Sequence, residues 1–332
     1  MHSVTVRRLL RRLAAQPTLR QPSHDTEALE HPGSGLRRSD LVVRDGFGLL
    51  VQGGGMRGAF AMGALAELHR QGLTESFDVS VGNSAGAIAL SYFLAGQADM
   101  VSEDYWAAIR MARIFNPLRF WKIVDVDRMV DEGMFQRFPL DLDALRANPP
   151  KFLIGLTDAR YRLPSYVVGQ ELSTPDLRNA LKATAALPGM YNEVVRLHGR
   201  RYIDGGFVDT LPLLRLKVLG CDRIIAVCTT PLRYEFVNDS LLRRSVIKAF
   251  AIGHSRFVRG WVGTPNPLHD ENLEALMLWG EDPERSRVLP IAPQHRLPDF
   301  TDAVKLHEIF ELGTSAAQQA LQSVTWACTA AS

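Results

Sequence analysis

Glycine turns between apolar segments and helices are the feature that most constrains this chain. Residues 49–65 read LLVQGGGMRGAFAMGAL, an apolar segment that enters a triple glycine and continues as a helical pattern. Residues 77–94 show the same order, with FDVSVG leading into NSAGAIALSYFL. A strand followed by a tight turn and a helix is the building unit of a parallel sheet. We therefore expect two such units side by side in the first third of the chain.

Apolar runs of strand length recur further along and alternate with helical patterns. They span residues 151–158, 164–169 and 222–230, and the last helical pattern spans 302–323. Strands that alternate with helices over a whole chain form a mostly parallel sheet with helices on both faces. The sequence therefore predicts an α/β fold, with a central mostly parallel β-sheet sandwiched by helices in three layers, α/β/α.

We expect this fold to form one domain over residues 46–332. Residues 1–45 are rich in arginine, proline, serine and histidine and lack a regular apolar pattern. A segment of this composition cannot bury enough apolar surface to fold alone, so it is predicted to be a flexible basic N-terminal segment. The alternative for residues 1–16 is a helix that lies on a membrane surface, with arginines opposite leucines.

Charge and cysteine content restrict the partners and the compartment. The formal net charge is +2, which gives no reason to expect nucleic-acid binding. The three cysteines lack a C-x-x-C spacing and suit a reducing compartment. No apolar run reaches the roughly 20 residues that span a bilayer, and the N-terminus lacks the apolar core of a signal peptide. We expect a cytoplasmic protein, with peripheral contact at the inner membrane surface as an option.

The first glycine turn is built to stabilise an anion. Gly53, Gly55 and Gly58 spell G-x-G-x-x-G, the dinucleotide-binding pattern. Its backbone N–H groups and the following helix N-terminus would favour any negative charge placed there. NAD binding also requires an acidic residue at the end of the second strand. Asp78 stands at the beginning of that strand instead, which disfavours the NAD hypothesis.

The second glycine turn offers a different anion. Gly82-Asn83-Ser84-Ala85-Gly86 is a G-x-S-x-G nucleophile elbow between a strand and a helix. A serine held at the helix N-terminus can attack an acyl carbonyl group, and the oxyanion that forms needs N–H donors. The backbone N–H groups of Gly54 and Gly55 are the natural candidates.

A serine nucleophile requires a base. No downstream histidine has a catalytic sequence context; these residues are His254, His269, His295 and His307. Asp204 is the better candidate because it leaves a predicted strand directly into Gly205 and Gly206. Burial beside the serine would raise the pKa of its carboxyl group and make it a stronger base. The alternative for this segment alone is a plain D-G-G turn.

Taken together and in this order, GGGMRG, GNSAG and DGG resemble the patatin-like phospholipase family, as does the ATAALPGMY segment before the aspartate. The resemblance extends over about residues 47–292. It implies a serine acyl hydrolase of lipid degradation, a phospholipase-type esterase without metal or cofactor, in which Ser84 is the nucleophile and Asp204 the proton acceptor. The oxyanion hole that it implies comprises Gly53, Gly54, Gly55, Arg57 and Gly58. The other implied motif glycines are Gly82 and Gly86 of the elbow, and Gly205 and Gly206 after the aspartate.

Two positions leave the implied function open. Asn83 stands where the family commonly has threonine, and its side chain flanks the nucleophile, so substrate preference is not predicted. Arg57 occupies the basic position of the family, where it could orient the glycine loop, meet a lipid phosphate or remain solvated. The alternative function is a catalytically weak or inactive lipid-binding or regulatory module of the same fold.

Two segments interleave basic and aromatic residues. Residues 105–122 and 240–268 each combine several lysines or arginines with phenylalanine and tryptophan. Such segments suit transient contact with an anionic lipid surface, and the alternative is a pair of amphipathic helices whose aromatic residues lie in the core. No nucleic-acid-binding module is recognisable, and the sequence makes no prediction of oligomeric state.

Overall fold

The structure, a computed structural model, describes residues 42–99, 122–232, 256–261, 267–298 and 303–325, together with 114, 116, 118 and 119. Almost all of the predicted N-terminal segment lies outside the described residues, as does most of the two basic and aromatic segments, residues 105–122 and 240–268. The division into a segment of residues 1–45 and a domain of residues 46–332 stays a prediction.

The described strands form one sheet. They are β1 Gly46–Val51, β2 Val79–Gly82, β3 Lys151–Asp158, β4 Pro164–Val168, β5 Val195–Leu197, β6 Arg200–Asp204, β7 Cys221–Val227 and β8 Val288–Ile291. Hydrogen-bonded pairing links them along the path β5–β6–β3–β2–β1–β7–β8, and β4 also pairs with β3. β3, β2, β1, β7 and β8 are parallel to one another, whereas β4 and β6 run antiparallel to β3.

The described helices include those predicted after β1 and β2 and the one predicted near residues 302–323. They are α1 Gly58–Arg70, α2 Ala85–Leu94, α3 Leu142–Ala147, α4 Thr174–Thr184, α5 Leu213–Val218, α6 Arg256–Trp261, α7 Pro267–Gly280, α8 Pro283–Ser286 and α9 Ala303–Gln322. One helical turn, Val126–Arg128, continues as a π-helix, Met129–Arg137. None of the described helices is both long and apolar enough to cross a membrane.

Each face of the sheet has its own apolar core. Phe47, Leu49 and Val51 of β1 point to one face, where they share a core with residues of α1, α2, α4 and α9. Leu50 points to the opposite face and shares a second core with residues of α5 and α7. This alternation is what a strand buried on both sides requires. The structure thus confirms the predicted three-layer α/β/α architecture.

The sheet is mixed where the chain returns on itself. β3 and β4 are joined by residues 159–163, and five residues are too few for the crossover that a parallel pair needs. β5 and β6 form a second antiparallel pair, and β5 was not predicted because its three residues carry no clear apolar pattern. The prediction of a mostly parallel sheet is confirmed for the strands β3, β2, β1, β7 and β8.

Two strands approach each other head to head along one edge of β3. Ile154 pairs with both β2 and β4, so these two strands lie on opposite edges of β3. Leu156 pairs with both β4 and β6, so β6 shares the edge of β2. β2 runs along that edge and ends at Gly82, opposite Ile154, while β6 runs in the other direction and ends at Asp204, opposite Leu156. Only Gly155 separates the two strand ends.

Candidate active site

Ser84 occupies a strained turn at the junction of β2 and α2. Its φ is 53° and its ψ is −130°, a region that non-glycine residues rarely adopt and that is found at functional sites. The flanking glycines permit this turn. A Cβ atom on Gly82 would lie 2.8 Å from the backbone of Ala87, and one on Gly86 would lie 2.4 Å from the carbonyl oxygen of Val51. The G-x-S-x-G spacing therefore follows from close backbone packing.

Thr184 holds the backbone of the serine in place. The N–H group of Ser84 donates to Oγ1 of Thr184 over 2.8 Å, and this hydroxyl donates to the carbonyl oxygen of Gly155 over 2.6 Å. Thr184 is the last residue of α4 and belongs to the ATAALPGMY segment. Its hydroxyl therefore links the turn at Ser84 to the gap between the two strand ends.

Asp204 faces Ser84 from the end of β6. The Ser84 side chain lies close enough to its carboxylate to favour the charged form, and the N–H group of Gly206 donates to Oδ1 over 2.7 Å. Only 4% of Asp204 is exposed. Burial raises the pKa of this carboxyl group to about 7, although Ser84 and the N–H group of Gly206 both lower it. A carboxylate with a pKa near neutrality is a competent general base.

The backbone of Asp204 is fixed as firmly as its side chain. Its N–H group donates to the carbonyl oxygen of Ala186, and its own carbonyl oxygen accepts from Oγ1 of Thr157 over 2.8 Å. Gly205 follows so close to β3 that a Cβ atom there would lie 2.1 Å from the carbonyl oxygen of Gly155. The D-G-G sequence is therefore more than a surface turn, because the strand end it forms is buried and anchored on β3.

The triple-glycine loop runs beside the serine. A Cβ atom on Gly53 would lie 3.0 Å from Cβ of Ser84, so the two residues are in contact. Within the described part of the chain, no acceptor takes the N–H group of Gly54 or Gly55. Oγ1 of Thr229, at the end of β7, donates to the carbonyl oxygen of Gly53 and anchors the loop. The loop thus offers backbone donors next to the hydroxyl group of the serine.

Arg57 and Gly58 lie where this loop enters α1. Gly58 is buried and is the first residue of α1. Arg57 is half-buried, and its Nε lies 3.1 Å from the position a Cβ atom on Gly54 would take. The arginine side chain therefore folds back over the glycine loop, which is the arrangement expected of a residue that orients the loop.

Asn83 does not line the site, which corrects the expectation that its side chain bears on the substrate. Only 1% of Asn83 is exposed, and its Nδ2 donates to the main-chain carbonyl oxygen of Asp209. Its Oδ1 lies against Gly155, where a Cβ atom would clash with it at 1.8 Å. The side chain continues the alternation of β2, in which Val79 and Val81 point to the core shared with α5 and α7, and it therefore points into the protein. Ala85 is likewise buried, as the first residue of α2.

Asp209 is the centre of a buried polar network that the sequence analysis missed. Its Oδ2 accepts from the hydroxyl group of Tyr166 over 2.6 Å, and its Oδ1 accepts from Nδ2 of Asn272 over 3.3 Å. Burial raises the pKa of Asp209 to about 6, against the hydrogen bond of Tyr166 and the charge of Arg215. Its position five residues after Asp204, in DGGFVDTLP, was the available signal.

No described histidine hydrogen-bonds to Ser84 or Asp204. His269 is buried beside Thr210, and burial lowers its pKa. His295 and His307 are exposed, and His254 lies outside the described residues. The carboxylate of Asp204 is therefore the basic group that the described structure brings to the serine.

The structure also argues against the NAD hypothesis, because the acidic residue that NAD binding requires is not at the glycine loop. Oδ2 of Asp78 accepts the N–H group of Phe47 over 2.8 Å, at the amino end of β1. This is the opposite edge of the sheet from Gly53–Gly55, which follow the carboxyl end of the same strand. The dinucleotide hypothesis thus fails on geometry as well as on spacing.

The two basic and aromatic segments lie mostly outside the described residues. In the described part of residues 105–122, Arg119 pairs with Asp125 over 2.9 Å, and Lys122 pairs with Asp127 over 2.5 Å. These two cations are therefore neutralised within the fold. Of residues 240–268, the structure describes 256–261 and 267–268, and the predicted lipid contact of that segment stays a prediction.

Comparison with known proteins agrees with this geometry. The family model described as Patatin-like phospholipase matches residues 49–217, which contain Ser84, Asp204 and the glycine loop. The uncharacterized protein YjjU of Escherichia coli K12 is 30% identical over 189 residues, which are 55% of this chain and 52% of that protein. The chain thus matches about half the length of this curated relative.

A solved structure shows the same fold. The crystal structure of VipD from Legionella pneumophila superimposes with a TM-score of 0.52 at 12% sequence identity, over 85% of this chain and 68% of that chain. At this identity the likeness concerns the fold alone. The match of the family model to half of the chain, together with the elbow, the glycine loop and the D-G-G strand end, leads to one conclusion: this chain belongs to the patatin-like phospholipase family, a family of lipid acyl hydrolases.

Proposed function

We propose that this protein is a serine acyl hydrolase that cleaves fatty-acyl esters of lipids through a dyad of Ser84 and Asp204. The observation that carries the proposal is the place of the Ser84 side chain beside the buried carboxylate of Asp204, whose pKa is raised to about 7. Membership of a lipid hydrolase family supports the substrate class. The head-to-head arrangement of β2 and β6 supports the pairing, since it holds both residues at one point of β3.

In the first half of the reaction, Asp204 accepts the hydroxyl proton while Oγ of Ser84 attacks the ester carbonyl carbon. The negative charge moves to the carbonyl oxygen, which we place against the N–H groups of Gly54 and Gly55. Losing one such donor typically lowers kcat about 100-fold to 1000-fold. The proton on Asp204 then passes to the leaving alcohol, and the acyl group stays on Ser84.

In the second half, water replaces the alcohol. Asp204 accepts a proton from this water, and the resulting hydroxide attacks the acyl carbon. The same two N–H groups hold the second oxyanion, and collapse of this intermediate releases the fatty acid. The proton returns from Asp204 to Oγ of Ser84. One carboxylate can serve both steps because its pKa near 7 lets it accept and release a proton at neutral pH.

Labelling with a fluorescent fluorophosphonate tests the proposal without knowledge of the natural substrate. We expect the wild-type protein to be labelled, Ser84→Ala to remain unlabelled, and Asp204→Asn to react at least about 100-fold more slowly. Ser80→Ala is the matched control, because Ser80 is a buried serine of β2 whose hydroxyl group has no hydrogen-bond partner in the described structure. That variant should be labelled at the wild-type rate.

Liposome co-sedimentation with an assay for released fatty acid extends the test to lipids. Release that depends on Ser84 supports the hydrolase. Folded wild-type protein that binds liposomes, takes no label and releases no fatty acid would overturn the proposal in favour of a lipid-binding or regulatory module. Labelling that persists in Ser84→Ala would exclude this serine as the nucleophile.

A further inference from the structure

Exposed arginines are concentrated on the strands and turn that lead to Asp204. We define the arginine surface as Arg160, Arg196 and Arg201 with the neighbouring Tyr161 and Leu163. Arg160, Tyr161 and Leu163 belong to the turn between β3 and β4, and all three are exposed. Arg196 and Arg201 lie directly opposite each other in the β5–β6 pair, and both are exposed.

The charge of this surface is not neutralised within the fold. In the part of the chain that the structure describes, none of the three arginines forms an ion pair. The nearest acidic residue of the turn, Asp158, is buried and accepts the N–H groups of Arg160 and Tyr161. Like charges directly opposite each other destabilise a strand pair. An external anion bound between Arg196 and Arg201 would therefore reduce the repulsion between their guanidinium groups.

The arginine surface projects from the edge of the sheet that carries the serine. β3 continues for four residues after Ile154, the residue opposite the end of β2. At about 3.3 Å per residue, the β3–β4 turn therefore stands roughly 13 Å beyond the start of the elbow. Arg201 precedes Asp204 by three residues, about 10 Å along β6, and the N–H group of Ala159 donates to the carbonyl oxygen of Arg201.

Apolar and aromatic side chains stand among these cations. Tyr161 is 58% exposed and Leu163 is 38% exposed at the tip of the turn. The guanidinium group of Arg160 lies 5.1 Å from the centre of the Tyr161 ring. Exposed tyrosine suits the interface of a bilayer, where its ring is partly apolar and its hydroxyl group remains in water. A surface that served only a soluble polyanion would gain nothing from the exposed leucine.

We propose that the arginine surface docks this protein on an anionic phospholipid bilayer and presents the carboxyl edge of the sheet to it. The arginines would meet lipid phosphates, and Tyr161 and Leu163 would enter the interface. This inference rests on the proposed function for the identity of the partner, because a lipid acyl hydrolase must reach esters held in a membrane. Its location, by contrast, rests on charges and exposure that do not involve Ser84.

Vesicle sedimentation of the full chain tests the docking. We use the Ser84→Ala protein so that the lipids stay intact, with vesicles of phosphatidylcholine alone or mixed with phosphatidylglycerol. A cationic side chain near an anionic membrane contributes about fivefold in partition. Adding Arg196→Gln/Arg201→Gln to this protein should therefore weaken its binding to the mixed vesicles about 25-fold. Raising the salt concentration should also weaken the binding of the protein that keeps both arginines.

The matched control removes the same charge from the opposite edge. Arg146 and Arg285 are exposed and lie on α3 and α8, which precede the amino ends of β3 and β8. Arg146→Gln/Arg285→Gln should bind the mixed vesicles within about twofold of the unsubstituted protein, because these positions face away from the membrane. Equal losses in both double variants would overturn the proposal, since only net charge would then matter.

Two further outcomes separate this proposal from the enzymatic one. In protein that keeps Ser84, the rate of hydrolysis of a soluble short-chain ester should be the same with and without Arg196→Gln/Arg201→Gln, because neither arginine lies in the dyad or the glycine loop. If no ester is hydrolysed but binding still depends on the arginine surface, the proposed activity fails and the docking stands. Equal binding to neutral and anionic vesicles overturns the docking, and arginine-dependent binding of single-stranded DNA instead would assign the surface to nucleic acid.

Discussion

Nδ2 of Asn83 donates a hydrogen bond to the main-chain carbonyl oxygen of Asp209, which ties the residue before the nucleophile to the segment after the base. The two residues are 126 positions apart in the chain. Asp209 is itself buried and held by Tyr166. This contact joins the two halves of the candidate site inside the protein.

Asn83→Ala should therefore lower both stability and activity. Loss of the buried hydrogen bond is expected to cost about 1–3 kcal/mol of unfolding free energy. We expect kcat for a soluble ester to fall roughly tenfold with little change in KM, because Asn83 positions Ser84 and touches no substrate. Urea unfolding and steady-state kinetics measure the two effects.

Asn148→Ala is the control for that variant. Nδ2 of Asn148 also donates to a backbone carbonyl oxygen, that of Leu94, over 2.5 Å. Its removal should cost a similar free energy of unfolding and leave kcat unchanged, because Asn148 lies just before the amino end of β3, away from the serine. A wild-type kcat in Asn83→Ala would show that the contact with Asp209 is structural only.

Thr184→Val tests the link between the serine turn and β3. Valine keeps the shape but removes the acceptor for the N–H group of Ser84 and the donor to Gly155. We expect a loss of about 2 kcal/mol in unfolding free energy and fluorophosphonate labelling roughly 10-fold to 100-fold slower. Thr184→Ser keeps the hydroxyl group and should recover most of the rate. A valine variant that is labelled at the wild-type rate would show that the hydroxyl group of Thr184 does not position Ser84.

The rate of labelling should depend on pH through Asp204. Only the ionised carboxylate accepts the proton of Ser84, and burial raises the pKa of this group to about 7. The rate is therefore expected to rise about tenfold for each pH unit below this value and to level off above it. Stopped labelling reactions in buffers of constant ionic strength measure the profile. A rate independent of pH between about 5 and 9 would contradict an Asp204 base with a raised pKa.

Asp204→Asn should stabilise the protein at high pH while it abolishes activity. The folded pKa of about 7 lies above the ordinary value of 3.8 for an aspartate, so the folded state binds more protons than the unfolded state between these pH values. Stability of the wild type therefore falls as pH rises through this window. Asparagine cannot ionise, so the variant avoids the free-energy cost of a buried negative charge. Its free energy of unfolding should exceed that of the wild type by roughly 1–3 kcal/mol near pH 8, and the difference should shrink towards pH 4. Urea unfolding of both proteins at pH 8 and pH 4 measures this difference. An equal difference in stability at the two pH values would rule out ionisation of Asp204 as its cause.

The sequence by itself determined the local elements and the residue types that the proposed chemistry needs. Apolar runs bounded by glycine predicted the parallel strands and the helices after them, because strand and helix periods are properties of neighbouring residues. Gly82 and Gly86 marked the elbow, since only glycine fits so close to the adjacent backbone. The order of the three motifs also identified Ser84 and Asp204 as the pair to examine, and their catalytic roles remain a prediction.

Only the tertiary structure decided how these parts meet. Whether β6 shares an edge of β3 with β2 depends on strand pairing between distant parts of the chain, and that pairing brings Asp204 opposite Ser84. The same holds for Thr184, which reaches the serine across 100 residues. Asn83 is the clearest case: its place beside the nucleophile suggested contact with the substrate, but its side chain is buried and donates to Asp209, 126 positions away. A sequence position fixes neighbours along the chain, whereas the direction of a side chain is set by the backbone angles and packing of the whole fold.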